Sequence, residues 1–327
     1  MGVGAYRDNE GKPYVFPIVR KVEAEIVADH SIDKEYLPID GYDTFNKGAR
    51  MAIFGWDNPE VNNERIATLQ TLSGTGALRV LAEFLAKFKP APLYLSNPTW
   101  GNHQSVFAAA GIQVREYRYF DKKTKGLDFA GMIEDLENAA PGAIVLLHTC
   151  AHNPTGVDPT EDQWKKIAEV CKRNALYPFF DTAYQGFCSG NMDKDAYGLR
   201  YFYEQGFEMV ISQSFAKIMG LYGERIGALH IVCADKATKE IVISNVRAII
   251  RANYSSPPKH GAMIAATILT KLEIRNQWLA ELGPVCQRIM DMRTALRSAL
   301  EKKGVPGDWS HITTQIGMFS FTGLTPD

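Results

Sequence analysis

Lys217 stands in the stretch S-Q-S-F-A-K-I-M-G-L-Y-G-E-R-I-G, Ser212 to Gly227, behind the apolar run Phe207, Met209, Val210 and Ile211 and ahead of Arg225. A lysine whose ammonium is partly desolvated, or lies near a second cation, has a lowered pKa and can form a Schiff base with a carbonyl. An ordinary loop lysine stays in water and does no chemistry. What distinguishes the two is the company the rest of the chain can bring. The turn Ser73-Gly74-Thr75-Gly76 precedes an apolar-periodic helix, Ala77 to Phe88. Free backbone N–H groups and the positive end of the helix dipole meet at such a turn, and its glycines admit close approach of an anion. The same turn also reads as a simple helix cap. As a dinucleotide fingerprint it fails, because the third glycine is absent and Tyr94 to Pro98 holds no acidic residue for a ribose.

Three more motifs follow strand patterns. H-N-P-T-G, His152 to Gly156, places Asn153 before a proline, which holds it extended so that its amide can face a cleft. D-T-A-Y-Q-G-F, Asp181 to Phe187, ends an apolar strand with a carboxylate, costly to bury without a cationic partner such as a protonated pyridine nitrogen. N-P-T-W-G-N-H, Asn97 to His103, offers the indole of Trp100 as a stacking plane. His148 and His152 lie four residues apart on a strand and turn, a spacing that does not converge them as a helix would, so no metal site is predicted.

These motifs must be carried by an α/β scaffold. From Thr68 onward, strands and helices alternate, the pattern of a largely parallel sheet. Strands are predicted at Leu93 to Ser96, Val114 to Tyr119, Ala143 to Leu147, Tyr177 to Phe180, Glu208 to Ile211 and Ile226 to Val232. Helices are predicted from near Phe16 or Pro17, through Ala49 to Phe54, at Phe129 to Ala139 and at Thr160 to Arg173. Trp278, Leu282, Val285, Ile289, Met292, Leu296 and Leu300 step by three and four, predicting one long amphipathic helix that stops at Lys303-Gly304. A strand at Met318 to Phe321 would open a smaller C-terminal domain. The chain of 327 residues has a net charge of -1, which gives a nucleic-acid partner no electrostatic support, and no apolar run approaches membrane-spanning length. Its five cysteines contain no C-x-x-C pair, which favours free thiols in a reducing compartment over disulfides or zinc.

Taken in order, S-G-T-G-A-L-R, N-P-T-W-G-N-H, H-N-P-T-G, D-T-A-Y-Q-G-F, S-F-A-K and E-R-I-G resemble the class I aminotransferases, most closely the aspartate aminotransferase branch of the fold type I pyridoxal-phosphate enzymes. The match runs from Gly2 to Asp327. The resemblance implies an α/β fold in which a large domain with a mixed, mostly parallel sheet flanked by helices joins a smaller α+β domain, incomplete at both chain ends. The implied division is 1–35 for the N-terminal part of the small domain, 36–275 for the large domain, and 276–327 for the linking helix and the start of the C-terminal small domain. It implies Lys217 as the lysine that carries pyridoxal 5'-phosphate and moves a proton, and Asp181 as the pyridinium partner, oriented by His103. Tyr184 and Asn153 would be donors to the phenolate oxygen, and Trp100 the stacking ring. Ser73, Gly74, Thr75, Ser214 and Arg225 would hold the phosphate.

By the same resemblance Tyr36 and Arg251 reach the neighbouring active site of a homodimer, Tyr36 to the phosphate and Arg251 to the substrate side-chain carboxylate, and Gly4 lies near the α-carboxylate. The implied activity is ping-pong amino transfer between L-aspartate and 2-oxoglutarate, in the cytoplasm, with a mitochondrial location left open. An aromatic or broad-range aminotransferase shares every motif, and a catalytically impaired chain that keeps the fold is a rival of another class. Both ends read as cut. The family's α-carboxylate arginine falls beyond Asp327, so the chain as given is expected to bind substrate poorly.

Overall fold

The computed structural model describes residues 4–58 and 64–320. Its strands are β1 (Ile66–Leu72), β2 (Leu93–Asn97), β3 (Val114–Arg118), β4 (Phe120–Asp121), β5 (Gly126–Leu127), β6 (Ile144–His148), β7 (Tyr177–Thr182), β8 (Met209–Ser214) and β9 (Ile226–Val232). The helices are α1 (Pro17–Ala28), α2 (Asp43–Phe54), α3 (Ser73–Phe88), α4 (Asn102–Ala109), α5 (Phe129–Glu137), α6 (Glu161–Arg173), α7 (Met192–Asp195), α8 (Tyr197–Glu204), α9 (Lys236–Asn253), α10 (His260–Thr270), α11 (Leu272–Lys302) and α12 (His311–Thr314).

Seven strands form one sheet in the order β1-β9-β8-β7-β6-β2-β3, with β4 and β5 a separate small pair. Strands β3, β2, β6, β7 and β8 run parallel. Only β9 opposes its neighbours, pairing antiparallel with both β8 and β1. Strand β6 is buried along its whole length, and its side chains feed two cores in alternation. Ile144 and Leu146 pack with α3 residues such as Leu78 and Leu81, whereas Val145 and Leu147 pack with Trp164 and Ile167 of α6. That explains its unbroken apolar sequence, since a parallel sheet covered on both faces needs no polar side. A third core joins α1, α2, α10 and the first half of α11.

Chain order reverses between β2 and β6: β3 lies outward of β2, and the following strands proceed from β6 to the other side. The segments leaving β2 and β6 therefore diverge, and a crevice opens at the carboxyl ends of the parallel strands. Register sets what faces it, for His148 pairs with Asp181 and Asp181 with Ser212 across β6, β7 and β8.

Four expectations shift. Helix α2 starts at Asp43, and α3 at Ser73, so S-G-T-G forms the first helical turn and not a loop before it. Helix α11 begins at Leu272, and its apolar stripe is buried only at Trp278, Leu282 and Val285, while Met292 and Leu296 are exposed. Met318 to Ser320 pair in no strand, and Phe321 lies outside the described residues.

Candidate active site

At the crevice lies a cavity of about 350 Å³ whose wall includes Lys217, Tyr184, Asp181, Asn153, Trp100, Ser73, Gly74, Thr75, Ser214, Arg225 and Gly4. One end of it is built for an anion. Leu72, the residue before α3, supplies no side-chain cap, so the first N–H groups of the helix keep their donor capacity. Ser73 takes the left-handed conformation (φ 61°), its N–H donates to Arg225 O at 3.0 Å, and its hydroxyl meets that of Ser214 at 3.0 Å. A Cβ on Gly74 would lie 3.1 Å from Ser214 Cβ, and one on Gly227 would stand 2.5 Å from both Gln213 O and Ser73 C. The backbone of β8, β9 and α3 thus packs closer here than any side chain allows. Arg225, also left-handed (φ 53°), is exposed and lines the cavity, and among the described residues its guanidinium is bonded only to Tyr222 O at 3.0 Å, leaving most of its donors unused.

The other end holds a carboxylate. Asp181 accepts from Ser212 Oγ at 2.6 Å and from His103 Nε2 at 3.2 Å. Burial alone would raise its pKa, but the His103 hydrogen bond, the neighbouring imidazoles of His103 and His148 and the Ser212 hydroxyl outweigh it and take it to about 2. Behind it the proton positions can be deduced. The backbone N–H of Asn153 donates to His148 Nδ1 at 3.1 Å, so His148 carries its proton on Nε2 and gives it to Thr99 Oγ1 at 3.2 Å. The Thr99 hydroxyl is then free to donate to His103 Nδ1 at 2.8 Å, which leaves the His103 proton on Nε2, pointing at Asp181.

On the same cavity wall Lys217 Nζ lies 5.3 Å from the ring centroid of Tyr184, and no carboxylate among the described residues is in ion-pair contact with it. Burial lowers its pKa; Asp181 opposes that and Arg225 adds to it. Burial also raises the Tyr184 phenol, and Asp181 adds to the effect, so the hydroxyl stays protonated and able to donate. Trp100 meets His103 edge-on at 5.2 Å. Gly4 sits below Phe319, where a Cβ would come within 3.2 Å of the ring. Such a cleft can hold a phosphate at one end and a cationic ring nitrogen at the other, with an amine between them.

Sequence reasoning missed Thr99, the role of Ser212, and Phe319, which lines the cavity and packs edge-on against Tyr184 at 6.0 Å. Strand adjacency was the available signal for Ser212, because it is the register partner of Asp181. His148 and His152, expected to stay apart, are stacked at 4.2 Å because the chain doubles back after β6. The His152 nitrogens are bonded to Ser96 and Thr155. Tyr36, 86% exposed, and Arg251, on the outer face of α9 and bonded to Ser255, do not reach this cavity in their own chain.

A family model described as aminotransferase class I and II matches residues 1–327. The cytoplasmic aspartate aminotransferase of Oryza sativa subsp. japonica is 54% identical over 328 residues, covering 100% of this chain and 81% of its own. Among solved structures, aspartate aminotransferase from Saccharomyces cerevisiae cytoplasm superposes with a TM-score of 0.97 at 43% identity, over 100% of this chain and 81% of that one. The aromatic-amino-acid aminotransferase of Burkholderia pseudomallei, covalently bound to pyridoxal phosphate, gives 0.96 at 42% identity, over 99% and 81%.

Proposed function

From a chain that belongs to the class I and II aminotransferases, pyridoxal-phosphate enzymes, we propose amino transfer between L-aspartate and 2-oxoglutarate, giving oxaloacetate and L-glutamate. The observation that supports this is one cavity lined by Lys217, an ionised Asp181 and an uncapped helix terminus, in a chain more than half identical to the rice enzyme. The residues present fit the cofactor. Asp181 is a largely enclosed carboxylate whose only basic neighbour in contact, among the described residues, is a histidine, so a ring nitrogen would supply the cation it lacks. The first turn of α3, Ser214 and Arg225 leave donors for a phosphate dianion.

When bound, pyridoxal phosphate supplies a carbonyl that condenses with amines and a ring that withdraws electrons from the substrate Cα. Lys217 Nζ would be the amine that holds that carbonyl, and as a free amine it would be the base for the Cα proton. Its lowered pKa favours the neutral form both tasks need. Asp181, held by Ser212 and His103, would keep the ring nitrogen protonated. Tyr184 and Asn153 would donate to the ring's phenolic oxygen, Trp100 would cover the ring face, and Ser73, Gly74, Thr75, Ser214 and Arg225 would hold the phosphate. Gly4 borders the place of the substrate α-carboxylate.

The exposure of Tyr36 and Arg251 supports a homodimer in which each serves the neighbour's cavity, Tyr36 the phosphate and Arg251 the distal carboxylate. The chain would divide as 1–35, 36–275 and 276–327, which is supported by a sheet lying wholly within residues 66–232. No described helix is long and apolar enough to cross a membrane, and the rice relative's name supports a cytoplasmic location.

The test is a donor panel on cofactor-loaded enzyme without 2-oxoglutarate. Aspartate should yield one oxaloacetate per cofactor and then stop, as a ping-pong scheme requires. The likeness to the aromatic enzyme supports a second reading, in which tyrosine or phenylalanine is the preferred donor; that result would displace aspartate. Failure of every donor would sink the amino-transfer reading for this chain.

A further inference from the structure

Beside the cavity wall, Cys150 Sγ, Cys188 Sγ and a carboxylate oxygen of Asp195 lie within 4.8 Å of one another. All three residues are buried, at 6%, 8% and 6% exposure, and amino transfer uses none of them. We propose that they form a site for one thiophilic divalent cation, of the zinc or cadmium class, held by two thiolates and one carboxylate.

The separations suit it. Metal–sulfur bonds of about 2.3 Å and metal–oxygen bonds of about 2.1 Å in a tetrahedral arrangement put ligand atoms roughly 3.5–3.8 Å apart. Closing the cluster therefore asks for shifts of little more than about 1 Å, within reach of small side-chain rotations. Asp195 is already aimed by its hydrogen bonds. Its Oδ2 accepts from the N–H groups of Gly186, Cys188 and Ser189 at 2.7, 3.1 and 3.4 Å, whereas Oδ1 accepts only from Ser189 Oγ at 2.6 Å and keeps a lone pair. The third nearby thiol, Cys286, is turned aside to Gly186 O at 3.2 Å.

Charge points the same way. Among the described residues no lysine, arginine or histidine pairs with Asp195, whose partners are backbone N–H groups and the Ser189 hydroxyl. A carboxylate buried without a cation is costly, and a bound ion removes that cost. A cysteine thiol is ordinarily protonated at neutral pH. On binding, two S–H bonds break, two metal–sulfur bonds form and two protons leave to solvent. The site then carries two thiolates, one carboxylate and one divalent cation, the same net charge as one carboxylate beside two thiols. Cys150 lines the cavity, which gives the ion a way in. Cys150 also stands three residues before Asn153 and Cys188 four after Tyr184, so the ion would tie together the two segments that present those cavity donors.

Cofactor-loaded enzyme, reduced with a phosphine and stripped of metal, is titrated with Cd²⁺ alone. The expected result is one Cd²⁺ per chain, with an ultraviolet sulfur-to-cadmium charge-transfer band, release of two protons and a raised thermal midpoint. Cys188→Ala, and Cys188→Ser as a variant of nearly unchanged volume, should lose band and shift while keeping the cofactor. Absence of the band in the unaltered protein overturns the proposal, as does cadmium bound without it. A band of equal strength and affinity in both Cys188 variants overturns it as well.

Discussion

Thr99→Val removes one hydroxyl and keeps the side chain's shape. In the structure that hydroxyl accepts from His148 Nε2 at 3.2 Å and donates to His103 Nδ1 at 2.8 Å. Both rings are buried, His103 fully. The substitution strands one donor and one acceptor, each at about 1–3 kcal/mol, so the expected loss of stability is about 2–4 kcal/mol once the added methyl is set against it. The effect reaches the cavity, because the tautomer that aims His103 Nε2–H at Asp181 is fixed by this hydroxyl. A loss of ~1 kcal/mol in holding the ring nitrogen weakens cofactor binding roughly fivefold. Urea unfolding reads the first effect, and equilibrium dialysis of pyridoxal phosphate the second. Thr99→Ser, which keeps the hydroxyl, should restore most of both. Valine and serine variants that match each other in stability and cofactor affinity would refute the deduced proton order.

Further outcomes follow from the same structure. Gly227→Ala drives a methyl to 2.5 Å from backbone atoms of Gln213 and Ser73, and should cost at least about 1–3 kcal/mol in unfolding free energy while loosening phosphate binding. Buried His152 and His230 have pKa values lowered by desolvation to about 3. The unfolded chain takes up protons they refuse, so stability is full above about pH 6.5 and lost as pH falls towards 3, by about 1.4 kcal/mol per pH unit for each ring. Asp158, raised by burial to about 6, acts oppositely, losing stability as pH climbs from about 4 to 6, so one histidine's slope is nearly cancelled in that window. Replacing His230 by glutamine should flatten the acid limb of a denaturation series by close to that single-ring slope. For the dimer, Lys217→Ala and Arg251→Asp chains should each be inactive alone, and mixed dimers should recover activity, since one cavity then holds both native residues. No recovery on mixing counts against Arg251 crossing between subunits.

Much of this was written locally in the sequence. Lys217, Asp181 and Asn153 each follow an apolar strand, and strands of a parallel sheet end at one edge, so the order of motifs already implied convergence. The anion end was legible only in company with the other motifs, because a turn rich in glycine and serine reads equally as a helix cap. What stayed hidden depends on neighbours across the sheet. Ser212 faces Asp181 only through strand register, and Thr99 bridges two histidines that are 45 residues apart in sequence. Helix α11 misled in part, for its three-four spacing continues past Val285 although only the first half meets the core. The start of α3 at Ser73 was hidden too, since the left-handed backbone there is held by the bond from its N–H to the carbonyl of Arg225, a residue far away in sequence.

The central claim, that Lys217 is the amine holding the cofactor between Asp181 and the phosphate cradle, is tested most directly by reducing the cofactor-loaded enzyme with borohydride and mapping its peptides. A single phosphopyridoxyl group on Lys217 is the result expected. The same label on any other lysine, or none at all, contradicts the account.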